Sequence, residues 1–434
     1  MAQRARFHSP RNRPRGAVDR AFSLAGAGAV HASHPIQRCF RDLRTADQHV
    51  YFGPAAMKRY AAERFHLAQP NWLIWPLTAA IQAPRISQVP LAKLIETHLS
   101  RTRGDEEMLT VKNTQQRVSQ RRSIAAPTVW DHASLDAWDY MIAVEPQHAA
   151  ACLRIRDRLR RLGRRLDTIV ASDFQEPELV EIARGIRHCL RLGPGFCVLR
   201  GLPLQDWTDE EASMLYWGLG TYLGGPQPQN RQGDRVYLVQ DTGQTVAEAR
   251  GSKTNSELIF HTDSACAYAG SRPDVLGLLC LRKAVSGGES VMVSGHTAYN
   301  AVLAAQPELV EELYGRFCFD RSHETQPGED PFTYGSIFTD TPEGVRIRYN
   351  RLHIELGHYR SGQPLSDRQR QALDALDRAL NDPANHVEFT LDPGDIFFAD
   401  NHATLHNRRS FVDAPEAAQR RCLVRLWLAG EPRN

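Results

Sequence analysis

The stretch "LDPGDIFFADNHATLHNRRSF", residues 391–411, governs the reading of the whole chain. "PGD" is a turn, "IFFA" is apolar enough for a buried strand, and a polar loop carrying His402 and His406 follows. Outward from it lie other short strand candidates: "RVYLVQD" (235–241), "SELIFHTD" (256–263), "DVLGLLCLRKA" (274–284), "ESVMVS" (289–294), "RIRYNRLHIEL" (346–356), "HVEFTL" (386–391) and "RCLVRLWL" (421–428). Upstream, "GPGFCVLRGLPL" (193–204) reads as a glycine-bounded buried strand. Helical spacing recurs in 150–170, with Leu153, Leu159, Leu162 and Leu166 as its apolar face and arginines as a solvated one, and again in 177–193. "TDEEASMLYWGLGTYLG" (208–224) opens with helix-start chemistry, a capping threonine and early acids. Among the later strands only 296–317 and 366–382 read as helices. Many short strands with few helices between them predict a mainly β protein with flanking helices, a barrel or jelly roll in preference to a βαβ sheet.

The totals set the class. With 434 residues, 42% apolar and 24% charged, the chain can bury a substantial core, and no stretch approaches the roughly 20 apolar residues of a membrane span. A net charge of +3 gives no strong electrostatic case for nucleic acid or anionic lipid, and neither is expected as a partner; a homo-oligomer is allowed for. Residues 1–44 hold nine arginines against Asp19 and Asp42. Residues 1–125, with little sustained periodicity, read as a largely disordered extension, and 126–434 as the folded domain. The eight cysteines show no C-x-x-C and no regular spacing, which fits reduced thiols in a cytoplasmic protein; an organellar address is the alternative if the arginine-rich start is a transit peptide.

In "FHTDSACAY" (260–268) an imidazole and a carboxylate stand two positions apart after an apolar run. Residues i and i+2 of a strand share a face, so His261 and Asp263 are able to aim at one point. Completed by a second imidazole, they would form the 2-His-1-carboxylate facial triad of non-haem Fe(II) oxygenases, with three coordination positions left open. His353/Glu355 and His386/Glu388 have the same form, so spacing alone does not choose. Context favours His261, which leads into the small residues "SACAYAGS", with His406 the best-placed second imidazole. A pair at 386/388 after "NDPAN" reads as solvent-facing.

Arg421 and Arg425, four apart in an apolar strand with Leu423 between and Trp427 following, share a face. A guanidinium buried there is costly unless an anion neutralises it, and its planar fork suits a carboxylate; the competing reading is a solvent-facing sheet edge. "SGGESVMVS" (286–294) adds a glycine turn with the Ser290 hydroxyl available to the same anion. "QPQNRQGDRVYLVQD" (227–241) is expected to line the approach to the metal.

Together "ELIFHTD", "SGGESVMVS", "YNRLHIE", "LDPGDIFFADNHATLHNRRSF" and "RRCLVRLWL" resemble the TauD/TfdA family of Fe(II)- and 2-oxoglutarate-dependent dioxygenases, over roughly residues 126–434. The resemblance implies a double-stranded β-helix (jelly roll) with flanking helices, and Fe(II) held by His261, Asp263 and His406. It further implies 2-oxoglutarate anchored by Arg421 with Ser290, O₂ as oxidant, and Arg425 on an anionic group of the substrate, the two arginine roles being open to exchange. Related halogenases lack the carboxylate ligand, so Asp263 favours hydroxylation or another C–H oxidation, with release of succinate and CO₂. Two rival readings are a non-catalytic jelly-roll binding protein, which a broken triad would mark, and a cupin-like metalloenzyme not using 2-oxoglutarate, against which the arginine strand and the "GGES" turn speak.

Overall fold

Side-chain alternation along the strand Cys422–Ala429 organises the architecture: Val424, Leu426 and Leu428 enter one apolar cluster and Leu423 and Trp427 another. The structure is a computed structural model that describes residues 121–430 apart from 231, 244–250, 269, 322–324 and 326–327. Its larger sheet sets Met141–Ala143, Phe196–Arg200, Ile396–Asp400, Val275–Arg282, Cys422–Ala429 and Gly225–Pro226 side by side, with Tyr237–Val239 also paired to Cys422–Ala429. A second sheet has the order His386–Phe389, Ser290–Ser294, Thr404–Arg408, all antiparallel. Phe196, Val198, Leu276, Phe397, Leu423 and Trp427 of the first sheet meet Met292, Val387 and Phe389 of the second in the inner core. This is the expected mainly β fold with flanking helices; the two sheets face each other without closing into a barrel.

The outer face of the large sheet is covered by helices Pro146–Arg161, Pro177–Leu192 and Asp209–Gly220, and that of the small sheet by Gly295–Ala305, Pro307–Leu313, Arg351–Arg360 and Asp367–Leu380. Pro177–Leu192 buries Leu179, Ile182, Ala183, Ile186, Cys189 and Leu190, a single stripe at helical spacing. Gly277 lets Asp209–Gly220 approach, because a Cβ there would stand 2.2 Å from the Tyr216 hydroxyl. Among the described residues no helix is long and apolar enough to cross a membrane.

Three expectations change. Helix Pro146–Arg161 buries His148, Ala151, Cys152, Ile155 and Leu159, while Leu153 and Leu162 are exposed, since the 148–152–155–159 stripe competes with the leucine stripe and wins the sheet. Several of its arginines are ion-paired, Arg154 and Arg158 with Glu176 and Arg160 with Glu211, as is Arg164 beyond its end with Asp173. The helix expected over 296–317 breaks at Gln306, because Pro307 has no N–H to continue the first segment. The extension expected over 1–125 lies outside the described residues except for 121–125, and these pack: Arg121 pairs with Glu311 and Asp340 and lies over the Tyr314 ring, and Ile124 joins the core under the small sheet.

Glu211 joins two of these elements. Its carboxylate accepts from the Thr208 N–H at 2.9 Å and from Arg160, while its own N–H donates to the Thr208 hydroxyl, so one residue caps Asp209–Gly220 and ties it to Pro146–Arg161. The Arg160 hydrogen bond brings the carboxyl from 4.5 down to about 2. A depressed carboxyl stabilises the fold above its unfolded value, and that contribution fades as pH falls toward the folded one. With Arg160 half exposed, Glu211→Gln is expected to cost about 1 kcal/mol at pH 7. Denaturant unfolding should show the deficit vanishing between about pH 4.5 and about 2; an unchanged gap at the lower pH would assign the effect to packing instead.

Candidate metal centre

His406 lies mid-strand in Thr404–Arg408, opposite Met292, and because its neighbour Leu405 faces the outer helices its ring points into the space between the sheets. The expectation of a polar loop here is thus corrected to a buried strand. His261 is tied beside it by two backbone hydrogen bonds, its N–H to the His406 carbonyl and the reverse, both 3.1 Å. Residues 256–263 are not the strand that was expected: only His261 pairs, in isolated bridges with His406 and Asn350. The chain turns immediately afterwards, with Ser264 in the left-handed region at φ 54° and Ala265, Cys266 and Ala267 buried behind it. Small residues make that turn compatible with a packed interior.

The turn delivers Asp263 to the imidazoles. Its Oδ1 stands 3.4 Å from His261 Nε2 and 3.5 Å from His406 Nε2, and one ligand atom from each of the three residues lies within 4.8 Å of the others. His261 Nδ1–H donates to the Ile259 carbonyl at 2.8 Å, which leaves Nε2 as the free lone pair. Asn401 grips the Asp263 peptide on both sides, accepting from its N–H at 2.7 Å and donating to its carbonyl at 3.0 Å. The second carboxylate oxygen, Oδ2, accepts from Trp427 Nε1 at 2.6 Å and Arg425 Nη1 at 3.2 Å. Burial works to raise the Asp263 carboxyl, but the Arg425 charge and then the adjoining His261 and His406 rings hold it well below the usual carboxylate range. Burial, then the His261 charge, lowers His406. A divalent cation held here would need the carboxylate ionised and a lone pair on each imidazole.

The structure gives Arg425 more partners than the sequence implied. Besides Asp263, its Nε donates to Gln229 Oε1 at 2.7 Å, and its Cζ lies 4.5 Å from the Trp427 ring and 5.0 Å from the Tyr237 ring. Gln229 and Tyr237 come from the stretch expected to line the approach. Among the described residues Nη2 has no hydrogen-bond partner. Arg421 precedes the same strand, is 5% exposed, and has a buried Nη1 with no partner among the described residues. Burial depresses its guanidinium. It lines a small pocket with Cys280, Gly287, Gly288, Leu391 and Leu423, and a Cβ on Gly288 would come within 3.2 Å of its Nε, so the "GG" turn is what lets the arginine lie there. Ser290 is buried at the head of its strand and shares the inward face with Met292. A bound carboxylate is the natural complement of a buried guanidinium with an orphaned N–H.

The other candidate pairs fall away. His353 and Glu355 sit on helix Arg351–Arg360, not a strand, because Asn350 caps a helix by accepting from the His353 N–H. There His353 bonds the Asp320 carbonyl and Glu355 pairs with Arg351. His386 and Glu388 are on a strand, Glu388 exposed and paired with Arg409. His402 pairs with Asp274. Asn401 escaped the sequence reading altogether; Trp427 was detectable only as sharing a face with Arg425, and Gln229 only as part of the stretch expected to line the approach.

Residues 159–427 match the sequence profile of the family described as "Taurine catabolism dioxygenase TauD, TfdA family". The chain belongs to the TauD/TfdA family. Its similarity to FR-33289 synthase of Streptomyces rubellomurinus (strain ATCC 31215) is 29% identity over 318 residues, covering 71% of this chain and 91% of that one. Enduracididine beta-hydroxylase of Streptomyces hygroscopicus is 25% identical over 294 residues, covering 58% and 84%. In fold it is similar to an asparagine oxygenase solved with Fe(II), 2S,3S-3-hydroxyasparagine and succinate, at TM-score 0.52, 21% identity, and coverage of 67% of this chain and 94% of that one. The non-haem iron oxygenase OrfP, solved in one structure with Fe and alpha-ketoglutaric acid, aligns at TM-score 0.50 and 18% identity over 67% and 94%. A second profile, "Acyl-CoA dehydrogenase, C-terminal domain", matches residues 4–54, outside the described residues. As a TauD/TfdA protein the chain is an oxidoreductase, a dioxygenase using Fe(II), 2-oxoglutarate and O₂.

The Asn401 clamp generates a test of the centre's architecture. Asn401→Ala leaves the Asp263 N–H and carbonyl without their buried partner, at about 1–3 kcal/mol for each. Urea unfolding of Asn401→Ala is expected to show a loss of roughly 2–6 kcal/mol with an unchanged slope; a loss below about 0.5 kcal/mol would mean the clamp is dispensable.

Proposed function

We propose that this TauD/TfdA dioxygenase hydroxylates, or otherwise oxidises, a C–H bond of a small substrate bearing a carboxylate or similar anion. In this reading His261, Asp263 and His406 hold Fe(II), Arg421 with Ser290 anchors the distal carboxylate of 2-oxoglutarate, and Arg425 faces the anionic group of the substrate. The observation that carries it is the convergence of two imidazole Nε2 atoms and Asp263 Oδ1 within one 4.8 Å cluster. Such a set occupies one face of an octahedral ion and leaves the opposite face for small molecules. The fit to 2-oxoglutarate rests on the unpartnered, buried Arg421 Nη1, and the fit to a substrate anion on Arg425 Nη2, framed by Tyr237 and Trp427.

When bound, iron and 2-oxoglutarate supply the oxidation, one atom of O₂ entering succinate as CO₂ leaves and the other reaching the substrate. The chain's own work is placement. Arg421 fixes the far end of the cosubstrate by a charge-assisted, directional contact. Arg425 would register the substrate's anion at a set distance from the centre, so that one C–H bond faces it. The surrounding apolar side chains, among them Met292, Leu423 and Trp427, exclude water and strengthen these contacts. An amino acid or related small acid fits the Arg425 environment, a class to which asparagine oxygenase and enduracididine beta-hydroxylase also point by their names.

His261→Ala and Asp263→Ala are each expected to abolish substrate-coupled succinate release in a screen of small acids and amino acids; normal turnover by either purified variant would remove the metal assignment. Arg421→Ala is expected to raise the 2-oxoglutarate requirement strongly, loss of a buried charged anchor costing about 2–5 kcal/mol, or roughly 30- to 5,000-fold. An unaltered 2-oxoglutarate titration would transfer the anchoring role to Arg425.

A further inference from the structure

We infer that Trp427, together with Arg425, is a positioning residue for Asp263: their N–H groups hold Oδ2 so that the carboxylate offers the metal Oδ1 alone. The inference rests on the iron-site reading above and deepens it. Asn401 fixes the Asp263 main chain, which leaves the side-chain torsions, rotation of the carboxylate plane among them, to be set by other partners. Trp427 Nε1 at 2.6 Å and Arg425 Nη1 at 3.2 Å both end on Oδ2, while Oδ1 is the atom facing His261 and His406 Nε2. Rotation would break both bonds inside a buried site, where lost hydrogen bonds are not replaced by water.

The consequence concerns coordination number. A carboxylate with two free oxygens is able to chelate a divalent ion and take a fourth position, leaving too few for a bidentate cosubstrate and O₂ on an octahedral centre. Engaging Oδ2 elsewhere keeps the protein's share at three. The two donors differ in kind. Arg425 is a flexible side chain already shared with Gln229 and, in the reading above, with the substrate's anion. Trp427 is rigid, 7% exposed, and has a single donor, which in this structure has no other task. Trp427 therefore keeps Oδ2 occupied when the substrate draws on Arg425.

The test uses the full chain and Co(II), added anaerobically, as a spectroscopic probe. Trp427→Phe keeps a ring and deletes the N–H. It is expected to weaken Co(II) binding by about 10- to 100-fold in a chelator competition, the usual consequence of losing an outer-sphere partner, and to change the position and intensity of the visible Co(II) bands. Arg425→Gln, measured in parallel, should shift both readouts in the same direction and keeps the test decisive if Trp427→Phe does not fold. Co(II) affinity within twofold of the parent and an unchanged spectrum, in whichever of the two variants fold, would overturn the inference. His261→Ala separates the two levels: its loss of Co(II) binding upholds the site itself, whereas parental affinity in that variant would remove the iron-site reading and this inference with it.

Discussion

The Asp263 carboxylate is the constraint around which the molecule is arranged. It is a full charge in the space between two sheets, 4% exposed, and such a charge is tolerated only when each oxygen is matched. One oxygen is turned to His261 and His406, the other to Trp427 and Arg425, and the peptide on either side is held by Asn401. These partners come from Thr404–Arg408, from Cys422–Ala429, from the loop between the Ile396–Asp400 and Thr404–Arg408 strands, and from the turn at 261–264. Four separate parts of the chain therefore have to be in register before the charge is satisfied. The centre is a consequence of the complete fold and not of any one motif.

The layered packing makes that register rigid. On Cys422–Ala429 alternate side chains serve different masters: Val424, Leu426 and Leu428 anchor the strand to the outer helices, and this commits Leu423, Arg425 and Trp427 to the inside. The same division on Thr404–Arg408 gives Leu405 to the helices and His406 to the site. A one-residue slip of either strand would carry the functional side chains out to the helical layers. The apolar residues that look like ordinary core are thus what aims the polar ones, Arg425 among them, whereas Arg421 stands before the strand, where the register shifts between Cys422 and Leu423.

The two buried guanidiniums are in different states. Arg425 already has a carboxylate and an amide for partners and retains one edge, whereas Arg421 is buried with an N–H that no described residue satisfies. Burying an unmatched guanidinium is unfavourable, so the protein keeps at Arg421 an anion-shaped deficit that binding would relieve. This contrast sets the two arginines apart in a way their symmetric spacing does not express: one has an unsatisfied N–H among the described residues, the other is already paired with Asp263 and Gln229.

By itself the sequence determined the mainly β class, most strand positions, and the three residue types that a facial triad needs, because strand alternation and the "FHTD" and "LHNRRSF" contexts are local properties. It also made Arg421 and Arg425 visible as charges in an apolar strand. It could not decide that 261 belongs to a bridge and turn instead of a strand, that His353 and Glu355 lie on a capped helix, or that Leu153 and Leu162 face solvent, since each depends on which surface a neighbouring element presents. Only the tertiary structure decided the pairing of Oδ2 with Trp427 and Arg425, the grip of Asn401 on residue 263, and the insertion of Gln229 beneath Arg425. Hydrogen bonds between residues more than a hundred positions apart leave no periodic trace in the chain, and their partners are chosen by the register in which distant strands meet.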